Sequence, residues 1–140
     1  LRLGGAAVER LWPPDEGGEG LSPNDRSTAI RLTYGRFAAV WAADLEREGQ
    51  RRVLITGKDV RADVLKVPHH GARGAADALF VAAANPRLAY VTGRLGSGRY
   101  PAEETRALYG RAGVILINAG NHGALVVETD GRRLRARTMF

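Results

Sequence analysis

Two imidazoles stand side by side in Lys66-Val67-Pro68-His69-His70-Gly71, where an apolar run gives way to a glycine-bearing turn. Neutral imidazole nitrogens held at the end of a strand suit zinc or manganese, and the glycine lets backbone or substrate come close. The competing reading of this segment is a pair of histidines satisfied by backbone hydrogen bonds. A carboxylate, Asp44, follows the apolar run Phe37 to Ala43. It either caps a helix beginning at Leu45 or bridges metal ions. The segment Asn24-Asp25-Arg26-Ser27 carries short polar side chains of the kind that make turns. With no cysteine in the chain, disulfides and thiolate metal sites are excluded, so His, Asp and Glu are the strong ligands left.

Charge adds a second theme. The 140 residues carry 21 Lys plus Arg against 15 Asp plus Glu, a net +6, and lysine occurs only at Lys58 and Lys66. Guanidinium groups pair bidentately with phosphate, which allows a polyanionic partner without requiring one. A GC-rich coding bias accounts for the same arginine, alanine and glycine richness. Arg73, inside the His-His-Gly loop, is the best placed to meet a phosphate, followed by Arg94 and Arg99 in the glycine-rich stretch 93–98. Arg133, Arg135 and Arg137 alternate and so share one face of the last strand, either as a phosphate track or as the charged face of a protected edge.

Positioning these groups takes an α/β framework. Ala7 to Trp12 alternates as a strand stopped by Pro13-Pro14, and residues 13–25, rich in Pro, Gly and acids, read as a mobile loop. Thr28 to Tyr34 and Phe37 to Ala43 form a hairpin about Gly35-Arg36. A helix runs from Leu45 to about Arg52, with Val53 to Thr56 as its continuation or as a short strand. Ala62 to Val67 is a buried strand. Ala75 to Ala84 is a helix burying Leu79, Phe80 and Ala83, and Arg87 to Thr92 is the next strand. Pro101 starts a helix with Glu103 and Glu104 in its first turn, Val114 to Ile117 is a buried strand, and Ala124 to Glu128 pairs with Leu134 to Thr138 across Asp130-Gly131. The alternation predicts a single α/β layered domain over 1–140 with a mixed sheet and terminal hairpins. No stretch reaches the roughly 20 apolar residues of a membrane span, and the first ten residues do not read as a signal peptide.

In this order the segments resemble the metallo-β-lactamase-fold domain of the ComEC family of DNA-internalisation proteins. Leu11-Trp12-Pro13-Pro14 matches the strand ending in Trp-Pro-Pro, Asn24-Asp25-Arg26-Ser27 the Asn-Asn-x-Ser segment, and Ala42-Ala43-Asp44 the Thr-Gly-Asp strand end. Ala62 through Gly71 matches the signature Ala-Asp-Val-Leu-Lys-Val-Pro-His-His-Gly residue for residue, with Ala72 in place of the serine that follows. The departures are Ala43 for glycine, Tyr100-Pro101 for His-Pro, and His122 where the family more often has aspartate. The family's His-x-His-x-Asp-His motif is not in this sequence, and His122 reads as a surface histidine.

The resemblance implies the C-terminal half of an αββα metallo-β-lactamase fold and a metal-dependent nuclease that uses zinc or manganese to cut DNA during competence. It assigns Asp44 to the metal bridge, His70 or His69 to the late histidine position, and Asn24, Ser27 and Arg73 to the substrate side. It implies DNA as partner, the missing N-terminal half of the domain as a second, and the extracytoplasmic face of a bacterial membrane, reached only through the parent protein. The isolated chain is then expected to be inactive. A half-fold leaves one sheet face, with Ile115 and Ile117, uncovered, so homo-oligomerisation is expected as well. The rival reading is a degenerate, non-catalytic module of the same fold that binds nucleic acid or serves a structural role.

Overall fold

Seven strands lie in one sheet in the order in which the chain makes them. The computed structural model describes residues 1–14, 20–93 and 100–139. The first four strands, β1 (Arg2–Leu3), β2 (Ala6–Trp12), β3 (Ala29–Tyr34) and β4 (Phe37–Trp41), pair antiparallel, as short turns allow. From β4 onward the pairing is parallel, through β5 (Val64–Lys66), β6 (Leu88–Val91) and β7 (Ile115–Asn118). Each parallel step needs a crossover, supplied by α1 (Arg47–Ile55), α2 (Ala78–Ala84) and α3 (Glu103–Arg111). Right-handed crossovers taken always in one direction put all three helices on one face. There Leu11, Val40, Leu65, Val91, Phe80, Val81 and Tyr109 form one buried cluster. Burial in this cluster pushes the Tyr109 phenol well above its ordinary range.

A short helix, α4 (Ala119–His122), leads into a separate hairpin, β8 (Ala124–Thr129) and β9 (Leu134–Met139), laid over the other face of the sheet. Phe37, Ala39, Val64 and Leu88 pack there against Leu125, Val127, Leu134 and Ile117. β4 is covered on both sides, which is why Phe37 to Val40 is an unbroken apolar run rather than an alternating one. The expected mixed α/β sheet with hairpins is therefore present.

Several elements differ in detail from the sequence reading. Val53 to Ile55 continues α1, which ends where Gly57 turns at φ 71. Asp44 does not cap this helix, which begins at Arg47 behind Glu46. The capping carboxylate is Asp25, whose Oδ1 accepts from the amides of Glu46 at 2.9 Å and Gly49 at 2.8 Å. α2 starts three residues later than expected because Asp77 caps it, accepting from the Leu79 and Phe80 amides. That phase buries Phe80, Val81 and Ala84, and leaves Leu79 and Ala83 exposed. Pro101 lies before the α3 N-cap, Ala102, not at the first helical position. β7 is an edge strand: Ile117 packs under the hairpin, but Ile115 is 64% exposed. None of the described helices is long and apolar enough to cross a membrane.

Candidate metal centre

Parallel strands deliver their C-terminal ends to one edge of the sheet, the usual place for a site in α/β folds. Asp44 follows β4 by way of Ala42 and Ala43, His69 and His70 follow β5, and Thr92 follows β6. Three non-glycine residues here are left-handed: Ala43 at φ 44, His69 at φ 44 and His70 at φ 53. Such backbone costs about 1–3 kcal/mol per residue and is held only where surrounding structure over-determines it. The bracing is visible. The Ala43 carbonyl accepts from the His69 amide and from Lys66 Nζ, both at 2.9 Å, and the Asp44 amide donates to Ser27 Oγ at 3.1 Å. Behind the histidines Gly71 sits at φ 73, and a β-carbon there would come within 2.8 Å of Pro101 Cβ and 3.1 Å of Thr105 Cγ2. Only glycine lets the histidine loop close onto the start of α3.

The two histidines face different carboxylates. His70 Nδ1 lies 2.6 Å from the Thr92 carbonyl oxygen and 2.7 Å from its hydroxyl. A carbonyl oxygen only accepts, so Nδ1 is the donor to Thr92 and Nε2 is the nitrogen left facing Asp44. That Nε2 is 3.6 Å from Asp44 Oδ1. Anchoring one ring nitrogen on a backbone carbonyl, which fixes the ring and directs the other, is a feature of ligating histidines. His69 instead puts Nδ1 3.5 Å from Glu46 Oε1, too long for a hydrogen bond, and that buried nitrogen has no hydrogen-bonding partner. Of the two, the geometry brings His70 and not His69 to Asp44.

The segment Asn24 to Ser27, expected as a turn, is a 3-10 turn over Asn24–Arg26 that braces the site from behind. Asn24 Nδ2 donates to Glu46 Oε1 at 3.0 Å, Asp25 caps α1, and Ser27 fixes the Asp44 amide. Trp12 Nε1 in turn donates to the Asp25 carbonyl at 2.6 Å. Residues 15–19 of the 13–25 loop lie outside the described residues.

The donors present fit two positions of a divalent cation's shell, the Asp44 carboxylate and His70 Nε2. Among the described residues no group of three His, Asp or Glu side chains could hold an ion. Structural and catalytic sites of this type use three or four protein ligands. Lys66 completes the cluster, with Nζ 3.7 Å from Asp44 Oδ1. Burial pushes its ammonium below the ordinary lysine range, and Asp44 opposes the shift. Sequence reasoning missed Lys66 and Thr92 as members of the site. Their signals were faint: a lysine inside an apolar strand and a threonine at a strand end.

Arg73 is exposed on the histidine loop, and His122 is exposed on α4. Arg94 and Arg99 lie outside the described residues. Arg133, Arg135 and Arg137 are exposed, Arg137 approaching Glu128 at 3.8 Å. Next to the site, on the hairpin side of the sheet, an apolar groove of about 430 Å³ is lined by Phe37, Trp41, Leu125 and Val127 together with Lys66 and Tyr90.

No protein-family model matches the chain. The chain is similar to ComE operon protein 3 of Bacillus subtilis (strain 168). The two are 26% identical over 112 residues, which is 79% of this chain and 14% of ComE operon protein 3. The chain thus spans a small part of the length of the curated relative it matches.

Proposed function

We propose that the chain is the C-terminal half of a metallo-β-lactamase-fold hydrolase domain that cuts DNA during uptake, with Asp44 and His70 supplying two of the metal ligands. The observation that carries this reading is the convergence of Asp44 and His70 Nε2, with the other ring nitrogen tied to Thr92. The similarity to ComE operon protein 3 supports a DNA-uptake setting; the extracytoplasmic face of a bacterial membrane, reached through the parent protein, is part of the same proposal. When bound, zinc or manganese would supply Lewis-acid activation of water and of a phosphoryl oxygen. This chain's residues have their own tasks. Asp44 contributes the anionic donor, His70 a neutral one in fixed orientation, and Arg73 a guanidinium for the phosphodiester.

Two features support dependence on a further segment, the missing N-terminal half. The ligand set among the described residues stops at two. The hairpin leaves the groove open at Trp41, which is 42% exposed. The isolated chain is therefore inactive. Manganese titration followed by paramagnetic broadening of amide signals tests the reading. Broadening centred on Asp44 and His70, lost in Asp44→Ala and in His70→Ala, is the expected result, with DNA cleavage appearing only when the upstream segment is restored. Absence of any localised broadening up to millimolar manganese would sink it.

A second reading has its own observation. Ala43 occupies a left-handed position where the resembled family has glycine, and Ala72 replaces its serine. Both fit a degenerate module of the same fold that binds nucleic acid or serves structure. In that case restoring the upstream segment yields no cleavage while DNA binding persists.

A further inference from the structure

Arginine is not spread evenly over the sheet. Asp44, His70 and Thr92 lie past the C-terminal ends of β4, β5 and β6, whereas Arg36, Arg61 and Arg87 stand just before the same three strands, at the opposite end. All three arginines are exposed. β4 is five residues long, which puts the two ends roughly 17 Å apart. Neighbouring strands lie about 4.8 Å apart, so these side chains stem from a row across the sheet rather than from one point.

A second turn adds to the row. The Arg36 amide donates to the Gly131 carbonyl at 2.6 Å, and a β-carbon on Gly35 would fall 2.5 Å from that oxygen. Glycine at both positions lets the β3–β4 and β8–β9 turns touch, which brings Arg36 beside Arg132 and Arg133, both exposed. The aspartates here are already engaged. Asp59 takes the Arg61 guanidinium at 3.0 and 3.2 Å and Arg31 at 3.1 Å. Asp63 Oδ2 accepts from the Ala38 amide at 3.0 Å, and Asp130 Oδ1 from the Arg132 and Arg133 amides at 2.8 and 2.7 Å. With Arg31, six arginines against three aspartates leave +3, half of the chain's net +6. Between Arg31, Arg36, Arg61 and Asn85 the surface sinks into an open polar depression of about 340 Å³. The C-terminal end of α2 at Ala84 favours cations there, but Arg36, Arg132 and Arg133 sit on turns between strands, where no helix dipole calls for them. Crowding like charge costs stability unless an anion offsets it.

We propose that this arginine row binds the phosphate backbone of a nucleic acid, at the opposite end of the sheet from Asp44 and His70. The choice of a nucleic acid as the polyanion rests on the DNA-uptake setting proposed above, while the charge arrangement stands without a metal at either end. Guanidinium forks pair bidentately with phosphate, and a row of them matches a linear polyanion. Among the described residues, the side chains of Arg36, Arg132 and Arg133 form no ion pair, which leaves their charge for the ligand. Contacts of this kind carry no base information, so binding is independent of sequence.

Fluorescence anisotropy of a labelled single-stranded oligonucleotide of mixed sequence, titrated with the whole chain over a salt series, tests the proposal. Binding should weaken steeply with salt. Arg36→Gln, Arg132→Gln and Arg133→Gln combined should weaken it about tenfold or more and flatten the log–log salt slope by about 2, at roughly 0.7 per lost phosphate contact. A control triple, Arg47→Gln, Arg52→Gln and Arg106→Gln, removes the same charge from α1 and α3 and should stay within about twofold of wild type at about 0.1 M salt. On the wild-type chain, amide shifts induced by the oligonucleotide should centre on Gly35, Asn85 and Gly131, a readout that does not depend on the variants folding. No binding, equal losses in the two triples, or shifts centred elsewhere would overturn the proposal, as would binding to phosphatidylglycerol vesicles but not to the oligonucleotide. Absence of manganese broadening at Asp44 and His70 counts against the metal reading alone and leaves this test standing.

Discussion

The two faces of the central sheet are built to different standards. Helices α1, α2 and α3 close one face over Leu65, Phe80 and Tyr109, each no more than 1% exposed. On the other face the β8–β9 hairpin spans only part of the sheet, and Leu32, Trp41, Leu125 and Val127 stay partly open around the groove. A lone two-stranded hairpin is marginal in water, so β8 and β9 depend on the sheet beneath them more than the sheet depends on them. The helix face is closed, and the hairpin face stays partly open. The Asp44–His70 cluster lies where the open face meets the strand ends, with Lys66 belonging to both.

The sharpest test of this asymmetry is paired truncation. Phe80→Ala in the closed layer is expected to cost about 3–5 kcal/mol, while Leu125→Ala under the hairpin should cost no more than about 2 kcal/mol, because its site is already partly hydrated. Denaturant unfolding measures both, and equal losses would break the contrast. Next in size is Gly71→Ala, which forces a β-carbon into Pro101 at positive φ and should destabilise by about 2–3 kcal/mol while disturbing the His70 ring signals. Replacing Ala43 with glycine acts in the opposite direction. Relief of the left-handed backbone should stabilise the chain by about 0.5–1 kcal/mol, and thermal unfolding showing a lower midpoint would contradict the strain assigned to it.

The smallest effect belongs to the surface near Arg61. Hydrogen bonds from Arg61, with Arg31 nearby, hold the Asp59 carboxyl at about 2, below its ordinary 3.8. A depressed carboxylate pKa stabilises the fold above the unfolded value and stops doing so as pH falls toward the folded one. Asp59→Asn should therefore lose less than about 1 kcal/mol near neutrality, and the difference from wild type should vanish between pH 3.8 and about 2.

The strands and the hairpins could be read from the sequence because turns such as Gly35-Arg36 and apolar runs such as Phe37 to Val40 are local signals. Helix phase was less legible. Leu79 looked buried by periodicity, yet Asp77 starts α2 at a phase that turns Leu79 to solvent, and α1 is capped by Asp25 from more than twenty residues away. Val114 to Ile117 reads the same whether the strand is central or at an edge, since nothing in four apolar residues says whether another strand pairs beyond them. At the site, Asp44 and the His-His-Gly loop were visible as types. Choosing between His69 and His70 depends on two positive φ values, and the roles of Thr92 and Lys66 depend on three strand ends converging. Neither leaves a mark in a single stretch of sequence.

One peptide group carries more of this arrangement than its size implies. The Ala43 carbonyl and the Asp44 amide are two ends of the same rigid plane, and Lys66, His69 and Ser27 grip it from three elements. Rotating that plane breaks all three contacts together, so Asp44 cannot loosen by degrees. The three contacts therefore hold or fail as a set. Hydrogen exchange at the single Asp44 amide then reads the state of the whole centre.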